Sequence, residues 1–264
     1  MKNISMKNFD FTFYGNIRFG SGTRTSINDI IKKENYKSAC IVIDHHLLSI
    51  DIFNEFVKNI KCNYILITCD IQEPTYEKLE EKRKELLNKS IDFFIGIGGG
   101  SALDMAKGLS VLYSNVGTAL SYRGFEKFNP NILPIIALPT TAGTGSEITP
   151  NASFIDGKEK RKMGINGEAI RPKFAILDPE LTLTCPRDPT LSAAIDSIVH
   201  STEAFVAKKS NPMAKIFAKK GFSLVIENIS DLMDDMNNLK LREEVMFGAF
   251  LSAIALMNSG TGPA

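Results

Sequence analysis

Short apolar, β-branched-rich runs recur along the first two-thirds of the chain: residues 39–43 (ACIVI), 64–68 (YILIT), 91–97 (IDFFIGI, broken only by Asp92), 132–138 (ILPIIAL) and 174–177 (FAIL). Runs of this length without in-out alternation predict strands buried on both faces, the habit of parallel sheets. Between the second and third, Pro74-Thr75-Tyr76-Glu77 opens a charged stretch in which Tyr76, Leu79, Leu86 and Leu87 recur near helical spacing. That segment predicts a crossover helix and hence a βαβ unit. Residues 102–113 are good helix formers and predict another helix. After Cys185-Pro186 the texture changes. Asp188-Pro189 predicts an N-cap followed by proline at the first helical position, and Asn211-Pro212 predicts a second such start. From there on the pattern is helical. The expected architecture is an α/β domain with a parallel sheet over residues 1–185, followed by the start of an all-helical domain over residues 186–264.

The composition is that of an ordinary globular protein: 264 residues, 44% hydrophobic and 23% charged. A chain of this size can bury a core without disulfide or metal staples. Lys plus Arg (31) and Asp plus Glu (30) leave a net charge of +1, with no long block of one sign. The charge pattern therefore favours small-molecule chemistry over nucleic acid or an anionic membrane as partner. The four cysteines, Cys40, Cys62, Cys69 and Cys185, have no zinc-like spacing and are expected as reduced core thiols. The N-terminal stretch MKNISMKNFDFTFYGN lacks an apolar h-region, and no apolar run approaches the roughly 18 residues of a membrane span, so a cytoplasmic protein is expected.

Four segments carry candidate chemistry. Gly98-Gly99-Gly100-Ser101 follows the 91–97 strand and opens the 102–113 helix. Glycines allow a ligand to approach the backbone, and a helix N-terminus suits phosphate, although a tight strand-to-helix turn would look the same. The segment is neither a P-loop nor the usual dinucleotide fingerprint, because Ser101 stands where the third glycine belongs. Second, residues 139–147 (PTTAGTGSE) set Thr140, Thr141, Thr144 and Ser146 beside two glycines directly after another strand. Uncharged hydroxyl donors at a strand's C-terminal end suit phosphate and ribose oxygens. Third, Asp44 ends the 39–43 strand, where an acid can accept from ribose hydroxyls or simply cap a turn. His45 and His46 follow it; adjacent histidines diverge in most conformations, so both are expected as solvated surface residues. Fourth, Asp196 and His200 are four apart on a predicted helix and share a face. They can converge on one cation or form a surface Asp–His pair. Glu203 reads as a solvated carboxylate.

Taken together, these segments resemble the iron-containing (group III) alcohol dehydrogenase family. GGGSALDMAK resembles its GGGS-x-x-D-x-A-K segment, with Asp104 and Lys107 at the matching places, and PTTAGTGSEIT, ending at Thr149, is close to its most specific signature. DPELT, starting at Asp178, precedes the switch to helices as in the family, and IDSIVHSTEAF resembles M-D-A-L-T-H-A-I-E-A-Y. The resemblance implies a dehydroquinate synthase-like, iron alcohol dehydrogenase fold. It implies a dinucleotide pyrophosphate at residues 98–101, with Thr140, Thr141, Thr144, Ser146 and Thr149 lining adenosine, pyrophosphate and nicotinamide ribose. Lys162 matches a lysine that reaches the cofactor, Asp44 the ribose-reading acid, and Asp196 and His200 two ligands of a divalent metal. The implied activity is metal-dependent, NAD-dependent alcohol dehydrogenase or aldehyde reductase chemistry on a small alcohol or aldehyde. The metal would be iron, with zinc as second choice, and the protein a homo-oligomer, a dimer first. No catalytic side chain is implied beyond the metal site.

The resemblance also implies two further ligand histidines on later helices. Residues 258–262 (NSGTG) resemble N-A-G-L-G, after which a ligand histidine is expected three residues on, one position past Ala264. Two of four ligands are therefore in hand, and the helical domain reads as truncated, which predicts uncovered apolar faces around Phe247, Phe250 and Leu251. The alternative is a non-catalytic dinucleotide-binding protein or fragment; a different enzyme of the dehydroquinate synthase fold is disfavoured by PTTAGTGSE.

Overall fold

The computed structural model describes residues 8–13, 15–69 and 73–259. In chain order the elements are β1 (Asn16–Phe19), α1 (Ile27–Lys33), β2 (Ser38–Asp44), α2 (Asp51–Lys58), β3 (Asn63–Cys69), α3 (Tyr76–Arg83), β4 (Phe93–Gly98), α4 (Gly100–Ser114), β5 (Gly124–Phe125), β6 (Ile135–Pro139), β7 (Asn151–Asp156), β8 (Arg161–Asn166), β9 (Phe174–Leu177), α5 (Arg187–Val206), α6 (Pro212–Asp234) and α7 (Leu239–Met257), with short 3-10 turns between. All five apolar runs form strands. They join β1 in a six-stranded sheet of order β1-β9-β6-β4-β2-β3, in which every pairing is parallel.

Side chains alternate across β2. Cys40 and Val42 pack with Phe94, Met105 and Leu109 on one face. Ala39, Ile41 and Ile43 join Phe53, Ile95 and Ile136 on the other. Burial on both faces holds for β2 and β4 but not for β3, an edge strand whose Tyr64 and Leu66 are exposed. A second, three-stranded sheet, β5-β8-β7, contains the antiparallel hairpin of β7 and β8. Its Phe154 enters the same core as α4.

Helix α5 begins at Arg187, so Asp188 and Pro189 lie within its first turn and Pro186 is the N-cap, two residues earlier than the sequence suggests. At α6 the expectation holds: the Asn211 side chain accepts the Ala214 N–H at 2.9 Å and Pro212 opens the helix. Helix α7 packs Met246, Phe250 and Ala253 against Ala175 and Leu177 of β9. Phe250 and Leu251 are therefore buried, and Phe247 packs edge-on against Phe19. Phe247 nevertheless remains exposed, as expected, and further uncovered apolar positions lie on α5 and α6, at Ile195, Val199, Phe205, Val206, Ile216 and Ile226. No helix of the described residues is long and apolar enough to cross a membrane. Gly260, Thr261 and Gly262 lie outside the described residues.

Candidate active site

The main sheet reverses its winding between β2 and β4: β3 is added on one side of β2, β4 on the other. In open parallel sheets, ligands bind in the crevice beyond the strands' C-terminal ends at such a point. Asp44 ends β2, the glycine segment follows β4, and Thr140 follows β6.

The β4–α4 turn needs glycine at Gly98, where φ is +145° and a Cβ would stand 2.7 Å from the Cβ of Ala102. Gly99 is the N-cap of α4 and no side chain caps it, which leaves the first-turn N–H groups of a 15-residue helix to serve an anion. The two polar loops touch. The Thr140 N–H donates to the Gly98 carbonyl at 2.9 Å, and a Cβ on Gly100 would stand 2.9 Å from Thr144 Cγ2. On its other side the second loop carries α5: a Cβ on Gly143 would lie 2.2 Å from the carbonyl oxygen of Ala193.

Beneath the loops, α4 sends in a buried network. Lys107 Nζ donates to Ser146 Oγ (2.8 Å) and to the carbonyls of Thr149 (3.1 Å) and Asn151 (2.8 Å). Asp104 accepts from the Ser146 hydroxyl (2.6 Å) and the Ser153 N–H (2.9 Å). Burial lowers the Lys107 amine to about 8, against the opposing pull of Asp104 and Glu147. Burial likewise pushes the carboxyls of Asp104 and Glu147 above their ordinary range, with Lys107 opposing.

A cleft of two joined cavities, about 780 and 290 Å³, runs over these elements. Glu73, Gly100, Ser101, Thr144, Lys162 and Asp196 line both. Asp44, Gly99, Thr140 and Thr141 line only the larger; Ser146, Thr149 and His200 line only the smaller. The cofactor residues expected from sequence thus share one cleft, except Gly98, which is buried at the end of β4 and shapes the turn. The Asp44 carboxylate caps the turn by accepting the His46 N–H at 3.0 Å, and the residue also lines the larger cavity.

Several positions differ from expectation. His45 and His46 are exposed but do not diverge, because the turn after Asp44 brings their ring centroids to 3.7 Å. Cys40 and Cys69 are buried, whereas Cys62 and Cys185 are only partly so, and Cys69 and Cys185 line the cleft. Lys162 Nζ pairs with Glu73 at 2.7 Å across the seam between the cavities. Glu73 escaped notice in the sequence because it stands 89 residues from Lys162 in no local motif.

Asp196 Oδ1 lies 3.5 Å from His200 Nε2. Two ligands on one tetrahedral ion, with bonds of about 2.0–2.2 Å, stand roughly 3.3–3.6 Å apart, so the pair has a chelate's separation. His200 Nδ1 is buried with no hydrogen-bond partner among the described residues. The donor chemistry, imidazole plus carboxylate, fits a divalent transition metal. Glu203 lies about one turn on, partly buried.

Comparison with known proteins agrees with this geometry. The chain is 30% identical over 246 residues to the NAD-dependent methanol dehydrogenase of Bacillus methanolicus, covering 92% of this chain and 65% of that protein. It is 33% identical over 190 residues to the sulfoacetaldehyde reductase of Bilophila wadsworthia, covering 72% of this chain and 49% of that protein. The crystal structure of sulfoacetaldehyde reductase from Bifidobacterium kashiwanohense in complex with NAD+ superposes with a TM-score of 0.92 at 26% identity, over 97% of this chain and 68% of that one. The chain thus spans just under two-thirds of the methanol dehydrogenase's length. Residues 15–179 match the family description "Iron-containing alcohol dehydrogenase" and residues 190–264 "Fe-containing alcohol dehydrogenase family, C-terminal", so the chain belongs to the iron-containing alcohol dehydrogenase family.

Proposed function

We propose that the chain carries the dinucleotide site and part of the metal site of an NAD- and metal-dependent alcohol dehydrogenase or aldehyde reductase acting on a small alcohol or aldehyde. Residues 1–185 serve the dinucleotide and residues 186–264 begin the metal and substrate domain. The observation that carries the reading is the single cleft lined by Asp44, the α4 N-terminus, the Thr140–Ser146 hydroxyls, Asp196 and His200.

When bound, the nicotinamide supplies hydride chemistry and a divalent ion supplies Lewis acidity toward the substrate oxygen. The protein's own groups bind and orient. Gly99, Gly100 and Ser101 offer backbone to the pyrophosphate, Asp44 accepts from ribose, and the threonine and serine hydroxyls direct the rest of the dinucleotide into the smaller cavity. Lys162, released from Glu73, adds a cation at the seam. Asp196 and His200 hold the ion, iron first and zinc second, and no side chain attacks covalently. Exposed apolar positions on α5 and α6 support self-association as a dimer, and four free thiols are in keeping with a reducing, cytoplasmic compartment.

Two metal donors in the cleft favour one second reading, dinucleotide binding without turnover. Titrating the 264-residue chain with NADH, followed by NAD+ reduction assays on short-chain alcohols with iron(II) or zinc added, tests both. Saturable NADH binding is the expected result, with metal held weakly and little turnover from two ligands. Turnover that rises with added metal supports the first reading, binding with none selects the second, and absence of NADH binding defeats both.

A further inference from the structure

Asp44 does not stand alone at its end of the cleft. The His46 N–H donates to its carboxylate at 3.0 Å, which closes the turn into a short 3-10 helix, His45–Ser49. On an extended strand neighbouring side chains point to opposite faces. Here the turn folds both imidazoles toward the same carboxylate, with His45 Nδ1 3.9 Å from Asp44 Oδ1 and the two rings tilted by 40°. One donor atom from each of the three residues lies within 4.8 Å of the other two.

Ligands on one tetrahedral ion stand roughly 3.3–3.6 Å apart, so closing this triad onto an ion takes side-chain movements of about 1 Å. Exposed imidazoles can make such movements without disturbing a core. His45 Nδ1 lies 3.3 Å from the Cys69 carbonyl. The nitrogen that faces Asp44 is this same Nδ1, so an ion held through it takes the place of the contact with the carbonyl. Two imidazoles and one carboxylate suit zinc, nickel or cobalt(II) rather than magnesium or calcium.

We propose that Asp44, His45 and His46 form a binding site for a borderline divalent transition metal, zinc foremost, separate from the Asp196–His200 pair. Asp44 and His46 line only the larger cavity and His200 only the smaller. An ion on the carboxylate takes up its charge and one of its oxygens, and Oδ1 already accepts the His46 N–H, so ion and ribose hydroxyls compete for what remains, and the site inhibits. The exclusion rests on the assignment of Asp44 to the dinucleotide; the metal site does not.

Equilibrium dialysis with zinc, and NADH fluorescence titration with and without saturating zinc, on wild type, the double variant His45→Gln/His46→Gln and the single variant His200→Gln test both parts. Circular dichroism checks each fold. One tightly held equivalent of zinc is expected in wild type and His200→Gln and lost in the double variant, and any weaker equivalent at the Asp196–His200 pair is lost only in His200→Gln. Zinc should weaken NADH binding about tenfold or more in the first two proteins and leave it unchanged in the third. An undiminished tight equivalent in the double variant, or its loss in His200→Gln alone, overturns the site. Zinc held by the triad without any effect on NADH overturns the exclusion. If no form binds NADH, the dinucleotide reading fails while the zinc counts still judge the site.

Discussion

A Cβ on Gly143 would lie 2.2 Å from the carbonyl oxygen of Ala193 and 2.6 Å from its Cα, so the threonine-rich loop and helix α5 meet with no room for a side chain between them. Ala193 precedes Asp196 by less than one turn of that helix. The loop proposed to hold the dinucleotide therefore sets the height of the helix proposed to hold the metal.

Gly143→Ala should force α5 off the loop, because the obstructing atoms are backbone. Overpacking of this kind costs about 2 kcal/mol. Urea denaturation should show that loss, and NADH affinity should fall with it; unchanged stability would mean that α5 moves freely over the loop.

Lys107→Met leaves the Ser146 hydroxyl and the carbonyls of Thr149 and Asn151 without their donor and Asp104 without its counter-charge. Removing one partner of a buried ionic network costs about 3 kcal/mol or more. Chemical denaturation of the two proteins at pH 7 measures it.

The same lysine gives stability a pH dependence. Folded, its amine is lowered to about 8 by burial, from an ordinary 10.5. Between those values the unfolded chain holds a proton that the folded chain has released, so the contribution rises with pH; it is complete above 10.5 and gone below 8. The unfolding free energy of wild type minus that of Lys107→Met should increase from pH 8 to pH 10. A flat or falling difference would sink this account.

Neighbouring glycines at the α4 entrance should respond differently. A Cβ on Gly99 meets only the Thr141 side chain, at 3.4 Å, whereas Gly98 has φ +145° and Ala102 at 2.7 Å. Gly99→Val should keep the fold and weaken NADH binding about tenfold or more, the worth of one charge-assisted phosphate contact. Gly98→Ala should lower stability itself, by about 1–3 kcal/mol. Thermal melts and NADH titrations separate the two.

Asp44 should favour NADH over NADPH. A carboxylate and a phosphate charge about 4 Å apart repel by about 1 kcal/mol even in water-like surroundings, which is about fivefold in affinity. Asp44→Ser should narrow the ratio of the two dissociation constants, and an unaltered ratio would remove Asp44 from the ribose.

Five of the six strands of the main sheet were legible because their signal is local; β1, four residues long, half-exposed and carrying Asn16 and Arg18, was not. Ile41, Ile43, Ile95 and Ile97 must be apolar wherever the sheet is covered on both sides. The β7–β8 hairpin was not, because its inward positions are Ala152, Phe154 and Asp156. A buried aspartate, satisfied by Arg123 and by the N–H groups of Lys158 and Glu159, breaks the apolar rhythm. The same division governs the cleft. Segments whose chemistry is contiguous, such as Gly98 to Ser101, announced themselves. The Lys162–Glu73 pair and the Lys107–Ser146 bond join residues 89 and 39 positions apart, and only the folded chain shows them.

The edge strand β1 is made early and satisfied late. Asn16 donates to the carbonyl of Lys173, 157 residues on, and Thr12 to Asn258, 246 residues on. At about 5–20 residues per second of synthesis, the first partner leaves the ribosome roughly 10–30 s after the strand itself. Through that interval a segment carrying Phe9, Phe11, Phe13 and Phe19 has no sheet to join, which makes it a natural foothold for chaperones during translation.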